Sequence, residues 1–164
     1  MTGSIVQVNS SRGGIPKRPV EEAFLGPLGL DGDMHAHPHI HGGPRQAVLL
    51  ICIEAIRELA ALGYPVYNGA LGENLTIRGI DRRRLQAGQR YRAGQAVIEL
   101  TKIRTPCATL DVYGPTIKTA MYDADVKAGN TASPKWAMSG FYASVVQTGL
   151  IRRDDIIALV DQVV

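Results

Sequence analysis

Short stretches of the chain alternate apolar and polar residues with a period of two, the mark of half-buried strands. Ser4-Ile5-Val6-Gln7-Val8 is one such run, and Ala96-Val97-Ile98-Glu99-Leu100-Thr101 is another. Further strands are predicted over residues 47–51, 75–77, 89–92, 140–147 and 154–160. A helical period falls on 53–62, where Ile53, Ile56, Leu59 and Ala60 make an apolar stripe and Glu54, Arg57, Glu58 and Ala61 look outward. Gly63 and Pro65 then stop the helix. A second helix is predicted over 116–127, with Pro115 near its first turn and Gly129 at its end. Residues 9–19, 29–33 and 130–138 read as loops or turns, and 82–88 as a charged, solvated connector around Leu85.

This tally predicts a mainly β chain: a closed or nearly closed β-barrel of about seven strands with two or more helical insertions, as one domain over residues 1–164. A doubly wound parallel sheet would need helices between most strands, and the pattern lacks them.

Composition narrows the function classes. The chain of 164 residues is 45% hydrophobic and 20% charged, an ordinary globular mix large enough for a core without staples. A formal charge of +3 suits an anionic small ligand. Its basic residues form no run longer than Arg82-Arg83-Arg84, and only 5% of residues are aromatic, so no nucleic-acid surface is expected. Residues 1–6 have neither a basic start nor a long apolar core, and no apolar run is long enough for a membrane helix. A cytoplasmic location, away from membranes and with Cys52 and Cys107 as free thiols, is the expectation.

Cys107 is the chemical focus. Pro106 ends the strand before it and holds Thr105 extended, so the thiol falls at a strand mouth. Lys102 and Arg104 bring positive charge, which favours a reactive thiolate. Burial as an inert side chain is the alternative, and it is the reading for Cys52 at the start of the first helix. Gly13-Gly14, followed by Lys17 and Arg18, could offer amides and cations to an oxyanion, or be a plain surface loop. Glu73-Asn74 either pins its own loop or presents an acceptor and a donor to a heterocycle.

All four histidines, His35, His37, His39 and His41, alternate within one segment. Extended, the outer two would stand about 20 Å apart at roughly 3.3 Å per residue, so one ion cannot collect all four. Two neighbours could chelate a metal with ligands from elsewhere.

Taken in order, Gly29-Leu30-x-Gly32-Asp33, His41-Gly42-Gly43-Pro44-x-x-Ala47-Val48, Gly69-Ala70-Leu71-Gly72-Glu73-Asn74-Leu75-Thr76 and Arg104-x-Pro106-Cys107 resemble the MOSC domain. The loop at 13–17 and Gly140-Phe141-Tyr142-Ala143 fit the same pattern. That module occurs at the C-terminus of molybdenum cofactor sulfurases and as free-standing bacterial proteins. The resemblance implies a strand-rich barrel of the pyruvate-kinase β-barrel type and a pocket for the molybdenum cofactor, molybdopterin. It places the family's cysteine on Cys107, as a molybdenum ligand or a persulfide carrier. It implies further catalytic roles for Arg104 and His41, and cofactor contacts from Lys17, Gly42, Gly43, Arg45, Glu73, Asn74 and Thr105. The pyridoxal-phosphate desulfurase domain of the sulfurases has no room in this length, so sulfur would come from a separate cysteine desulfurase.

Four readings follow. The chain reduces N-hydroxylated small molecules with a separate electron-donor protein, or carries sulfur on Cys107. It is a non-catalytic metal-binding module built on the His35–His41 run, or a barrel that has lost its cofactor and serves as an interaction partner.

Overall fold

A computed structural model describes residues 1–35 and 42–161, the last of these by its backbone alone. Strands β1 (Thr2–Ser10), β2 (Arg18–Val20), β3 (Glu22–Gly26) and β4 (Gly29–Leu30) precede β5 (Val48–Cys52). Helix α1 (Ile53–Ala61) follows at once, then β6 (Leu75–Arg78), β7 (Arg90–Ala93) and β8 (Ala96–Ile103). Short helices α2 (Ile117–Met121) and α3 (Ala124–Lys127) lead to β9 (Phe141–Gln147), β10 (Gly149–Arg152) and β11 (Ile156–Asp161).

Seven strands run in the order β11-β7-β8-β9-β5-β6-β1, and β1 pairs back onto β11. The expected barrel is therefore closed, which removes the unpaired edges of an open sheet. Every pairing in the circuit is antiparallel except β5 with β6. A parallel neighbour requires a crossover, and α1 lies between those two strands in the chain. β2 extends from the end of β1, while β10, β3 and β4 make a separate three-stranded sheet.

The unbroken apolar run of β5 now has a reason: all five of its residues are buried. Val48, Leu50 and Cys52 join the core with Ile5, Leu75 and Phe141. Leu49 and Ile51 face the other way, into a second core with Ile56 and Leu59 of α1 and with Met121 of α2. A strand covered on both faces loses its alternation.

Four details differ from the sequence reading. The buried stripe of α1 is Ile53, Ala55, Ile56 and Leu59; Ala60 is exposed. The second helix is broken at Tyr122, whose backbone is extended, and Asp123 caps α3 by accepting from the Val126 amide. The connector at 82–88 is not simply solvated, because Arg82 is buried. Its guanidinium donates to the carbonyls of Trp136 and Pro134 and pairs with Glu58. Finally, β2, β3, β4 and β10 were hidden in loops; β10 follows β9 after Thr148 alone, so their boundary reads as one turn. Among the described residues no helix is long and apolar enough to cross a membrane.

Candidate functional site

The chain leaves β8 at Ile103 still tied to the barrel. The Arg104 amide donates to the Gly140 carbonyl (2.9 Å), and the Ser139 hydroxyl donates to the Arg104 carbonyl (2.6 Å). With its backbone pinned, Arg104 turns its side chain inward to 5% exposure. Its Nη1 donates to the Leu71 carbonyl at 2.8 Å, and its Nε, though buried, has no partner. Three residues on, Cys107 is half-buried, with Sγ hydrogen-bonded to the Thr109 hydroxyl.

Arg104, Cys107, Lys17, His35, Asn74 and Tyr142 line one cleft at this end of the barrel. Ile15, Leu49 and Met34 supply its apolar walls, and it has about 70 Å³ of room. The sequence reading placed Cys107, Arg104, Lys17 and Asn74 at a common site, and the fold brings them together.

A buried polar network frames the cleft. Lys17 Nζ lies 2.6 Å from Asp33 Oδ1, with their side chains 7% and 3% exposed. Asp33 also accepts from the Ser11 amide and from Asn74 Nδ2, both at 2.9 Å. Asn74 in turn accepts from the Leu49 amide (3.0 Å) and donates to the Asn9 carbonyl (3.3 Å). One amide side chain thus ties the start of β5, the end of β1 and the Asp33 turn together.

Glu73 is wholly buried and does not reach the cleft wall. Its Oε1 accepts from the Gly69 amide (2.6 Å) and the Thr76 hydroxyl (2.9 Å), while Oε2 has no partner. Burial pushes its carboxyl above the ordinary glutamate range, opposed by those hydrogen bonds and by the Arg104 charge. For Arg104, burial works against the charged form, and Tyr142, Cys107 and Glu73 work for it. Burial also raises the Tyr142 phenol, opposed by Arg104. His35 is pulled below the usual histidine value by burial and then by the Lys17 charge, with Asp33 acting the other way.

Other expected residues are placed differently. Arg45 is exposed and outside the cleft lining; its carbonyl accepts from the Thr101 hydroxyl. Thr105 is exposed and also outside the lining. Lys102 stands over the Tyr142 ring at 5.9 Å from its centroid. Gly42 and Gly43 have φ of 106° and 83°, and a Cβ on Gly42 would meet the His35 ring at 2.9 Å. His37, His39 and His41 lie outside the described residues. Among the described residues no group of three or more His, Cys, Asp or Glu is arranged to hold a metal ion. Cys52 is buried against the Ile80 carbonyl, and burial pushes its thiol up to about 12.

Asp33 and Tyr142 stand in the family-like motifs without a site role, and nothing in the sequence points to Thr109. Tyr142 pairs with Lys102 in the β8–β9 ladder, where the register shifts between Leu100 and Lys102. Tyr142 alternates with Phe141 and Ala143, which face the barrel core, so it stands on the other face of β9 with the cleft.

The model of the MOSC domain matches residues 37–158 of this chain. Uncharacterized protein YflK of Bacillus subtilis (strain 168) is 31% identical over 140 residues, covering 84% of this chain and 59% of that protein. Protein YiiM of Escherichia coli (strain K12) is 28% identical over 146 residues, covering 87% and 61%. The chain thus spans about three-fifths of the length of these curated relatives. The crystal structure of YiiM from Geobacillus stearothermophilus superposes with a TM-score of 0.72 at 26% identity, over 97% of this chain and 75% of that one. That of YiiM from Escherichia coli gives 0.71 at 25% identity, over 99% and 71%.

Proposed function

The chain belongs to the MOSC domain family, and on that premise we propose that its cleft receives the molybdenum cofactor, with the Cys107 thiolate as sulfur donor to the metal. One observation carries the reading: the partly exposed thiol of Cys107 shares a small cleft with Arg104, a buried guanidinium whose Nε is uncommitted.

The side chains suit the metal and the oxygen-bearing parts of the group. A thiolate is a soft donor suited to a thiophilic metal. Arg104 is a planar cation suited to oxo or phosphate oxygens. Lys17 already faces Asp33, so the net attraction for an anion falls on Arg104. Asn74 is held rigid by its own hydrogen bonds and keeps the wall in shape. Ile15 and Leu49 present apolar surface that limits water near the sulfur. When bound, the cofactor supplies two-electron redox chemistry, and the reading assigns this chain the reduction of N-hydroxylated compounds with a separate electron-donor protein. A cytoplasmic site of action goes with it.

A second reading is favoured by the solitary placement of the sulfur. Among the described residues Cys107 has no cluster of metal-donor side chains around it. A thiol so placed suits a persulfide carrier loaded by a cysteine desulfurase.

Purification from a host able to make the cofactor, and from one unable to, tests the first reading. Pterin fluorescence released from the protein is expected only from the first host, and little from Cys107→Ser. Equal fluorescence from wild type and Cys107→Ser contradicts it.

A further inference from the structure

The cleft is small. Its room of about 70 Å³ is on the order of five water molecules at 10–15 Å³ each. A compact, tetrahedral anion fits that room beside the thiol and the guanidinium. Lys17 is matched by Asp33, whereas the Arg104 guanidinium donates to a carbonyl and makes no ion pair among the described residues, so Arg104 is the cation of the lining left to meet an anion. Its Nε is the buried donor still lacking an acceptor. In the same lining, Cys107 Sγ is hydrogen-bonded to the Thr109 hydroxyl. Cys52 is buried in the core and cannot resolve a modified Cys107 without unfolding.

We propose that Cys107 takes sulfane sulfur directly from a thiosulfate-class anion held by Arg104, and so becomes a persulfide without a desulfurase. This rests on the sulfur-carrier reading above and puts a small anion in place of the desulfurase as its sulfur source. The thiol first loses its proton to water. Sγ then attacks the outer sulfur of thiosulfate, the sulfur–sulfur bond of the anion breaks, and its electron pair leaves with sulfite. The balance is Cys107–S⁻ plus S–SO₃²⁻ giving Cys107–S–S⁻ plus SO₃²⁻, with no outside oxidant or reductant. Arg104 binds the oxygens of the anion and stabilises the charge that collects on departing sulfite. The apolar wall of Ile15 and Leu49 slows loss of the outer sulfur to water.

The test uses the full chain, reduced and freed of reductant, incubated with sodium thiosulfate, with sodium sulfate, or with polysulfide. Thiosulfate is expected to add about 32 Da to the Cys107 peptide and to release one sulfite per chain loaded. Sulfate adds nothing, Cys107→Ser stays unmodified, and Cys52→Ser behaves as wild type. Arg104→Gln is expected to load about tenfold more slowly, with Arg104→Lys between the two. On wild type alone, sulfate is expected to slow alkylation of Cys107 by iodoacetamide about threefold by occupying the same place; this arm holds even if the Arg104 variants fail to fold. Loading by polysulfide but not by thiosulfate overturns the inference and leaves the carrier reading standing. Loading by neither reagent removes both. Equal loading of Cys52, or no protection by sulfate, also overturns the inference.

Discussion

Lys17 and Asp33 form a buried ion pair beside Cys107, with Nζ 2.6 Å from Oδ1. It reassigns the charge of the cleft. Lys17 looks in the sequence like a free cation for a phosphate, but its charge is already answered, and Asp33 is further fixed by Ser11 and Asn74.

Asp33→Asn is therefore expected to have two effects. Lys17 is left buried without a counter-charge, at a cost on the order of 3 kcal/mol in urea unfolding. The surviving protein gains a second uncompensated cation in the cleft, so sulfate is expected to stabilise it more than wild type in thermal melts. A variant as stable as wild type, and stabilised by sulfate no more than wild type, would show that the pair is not buried as described.

Gly69 sets the loop that carries Lys17. The Lys17 amide donates to the Gly69 carbonyl at 2.9 Å, Gly69 has φ of 94°, and a Cβ there would lie 2.1 Å from the Lys17 carbonyl oxygen. Gly69→Ala combines left-handed backbone strain with a backbone clash, and is expected to cost at least about 2 kcal/mol. Gly63→Ala, with nothing within 4 Å of its Cβ, bears only the strain and should cost about 1 kcal/mol. Equal losses in urea unfolding contradict the close approach.

Much of this was legible in the sequence, and the failures have physical causes. Alternation located barrel strands such as β1 and β8, while β5, buried on both faces, showed as an unbroken apolar run, and the Pro106 stop located Cys107 at a strand end. Ion-pair partners are invisible to such patterns: nothing local says that Asp33 reaches Lys17, or that Glu73 points into the protein. Arg82 misled for the same reason. A triple-arginine run reads as solvent-facing, yet the carbonyls that Arg82 satisfies belong to residues 134 and 136, about fifty positions away. Arg45 and Thr105 follow their neighbours in sequence but stand outside the cleft. His41 lies outside the described residues.

The buried Glu73 gives a pH signature. Its pKa is raised in the folded state, chiefly by burial, above the ordinary glutamate value of 4.5. The folded protein then holds the proton more tightly than the unfolded chain, so this contribution is complete below 4.5 and is lost as pH rises above it. Wild type is expected to lose stability relative to Glu73→Gln as pH climbs from 4.5 toward 8. Urea unfolding at several pH values reads the difference. A gap that widens in favour of wild type with rising pH contradicts the sign.

The two thiols should separate by reactivity. Cys52 is 1% exposed and its thiol is pushed up to about 12, whereas Cys107 opens onto the cleft. Iodoacetamide on the native protein is expected to label Cys107 at least about tenfold faster than Cys52. In denaturant the two rates should converge. Comparable native labelling would mean that Cys52 is not in the core.

The most direct measurement is molybdenum per chain, by elemental analysis, in wild type, Cys107→Ser and Cys52→Ser purified from one cofactor-making host. The account predicts metal in wild type and in Cys52→Ser, and little in Cys107→Ser. Undiminished molybdenum in Cys107→Ser, or none in wild type from that host, contradicts it.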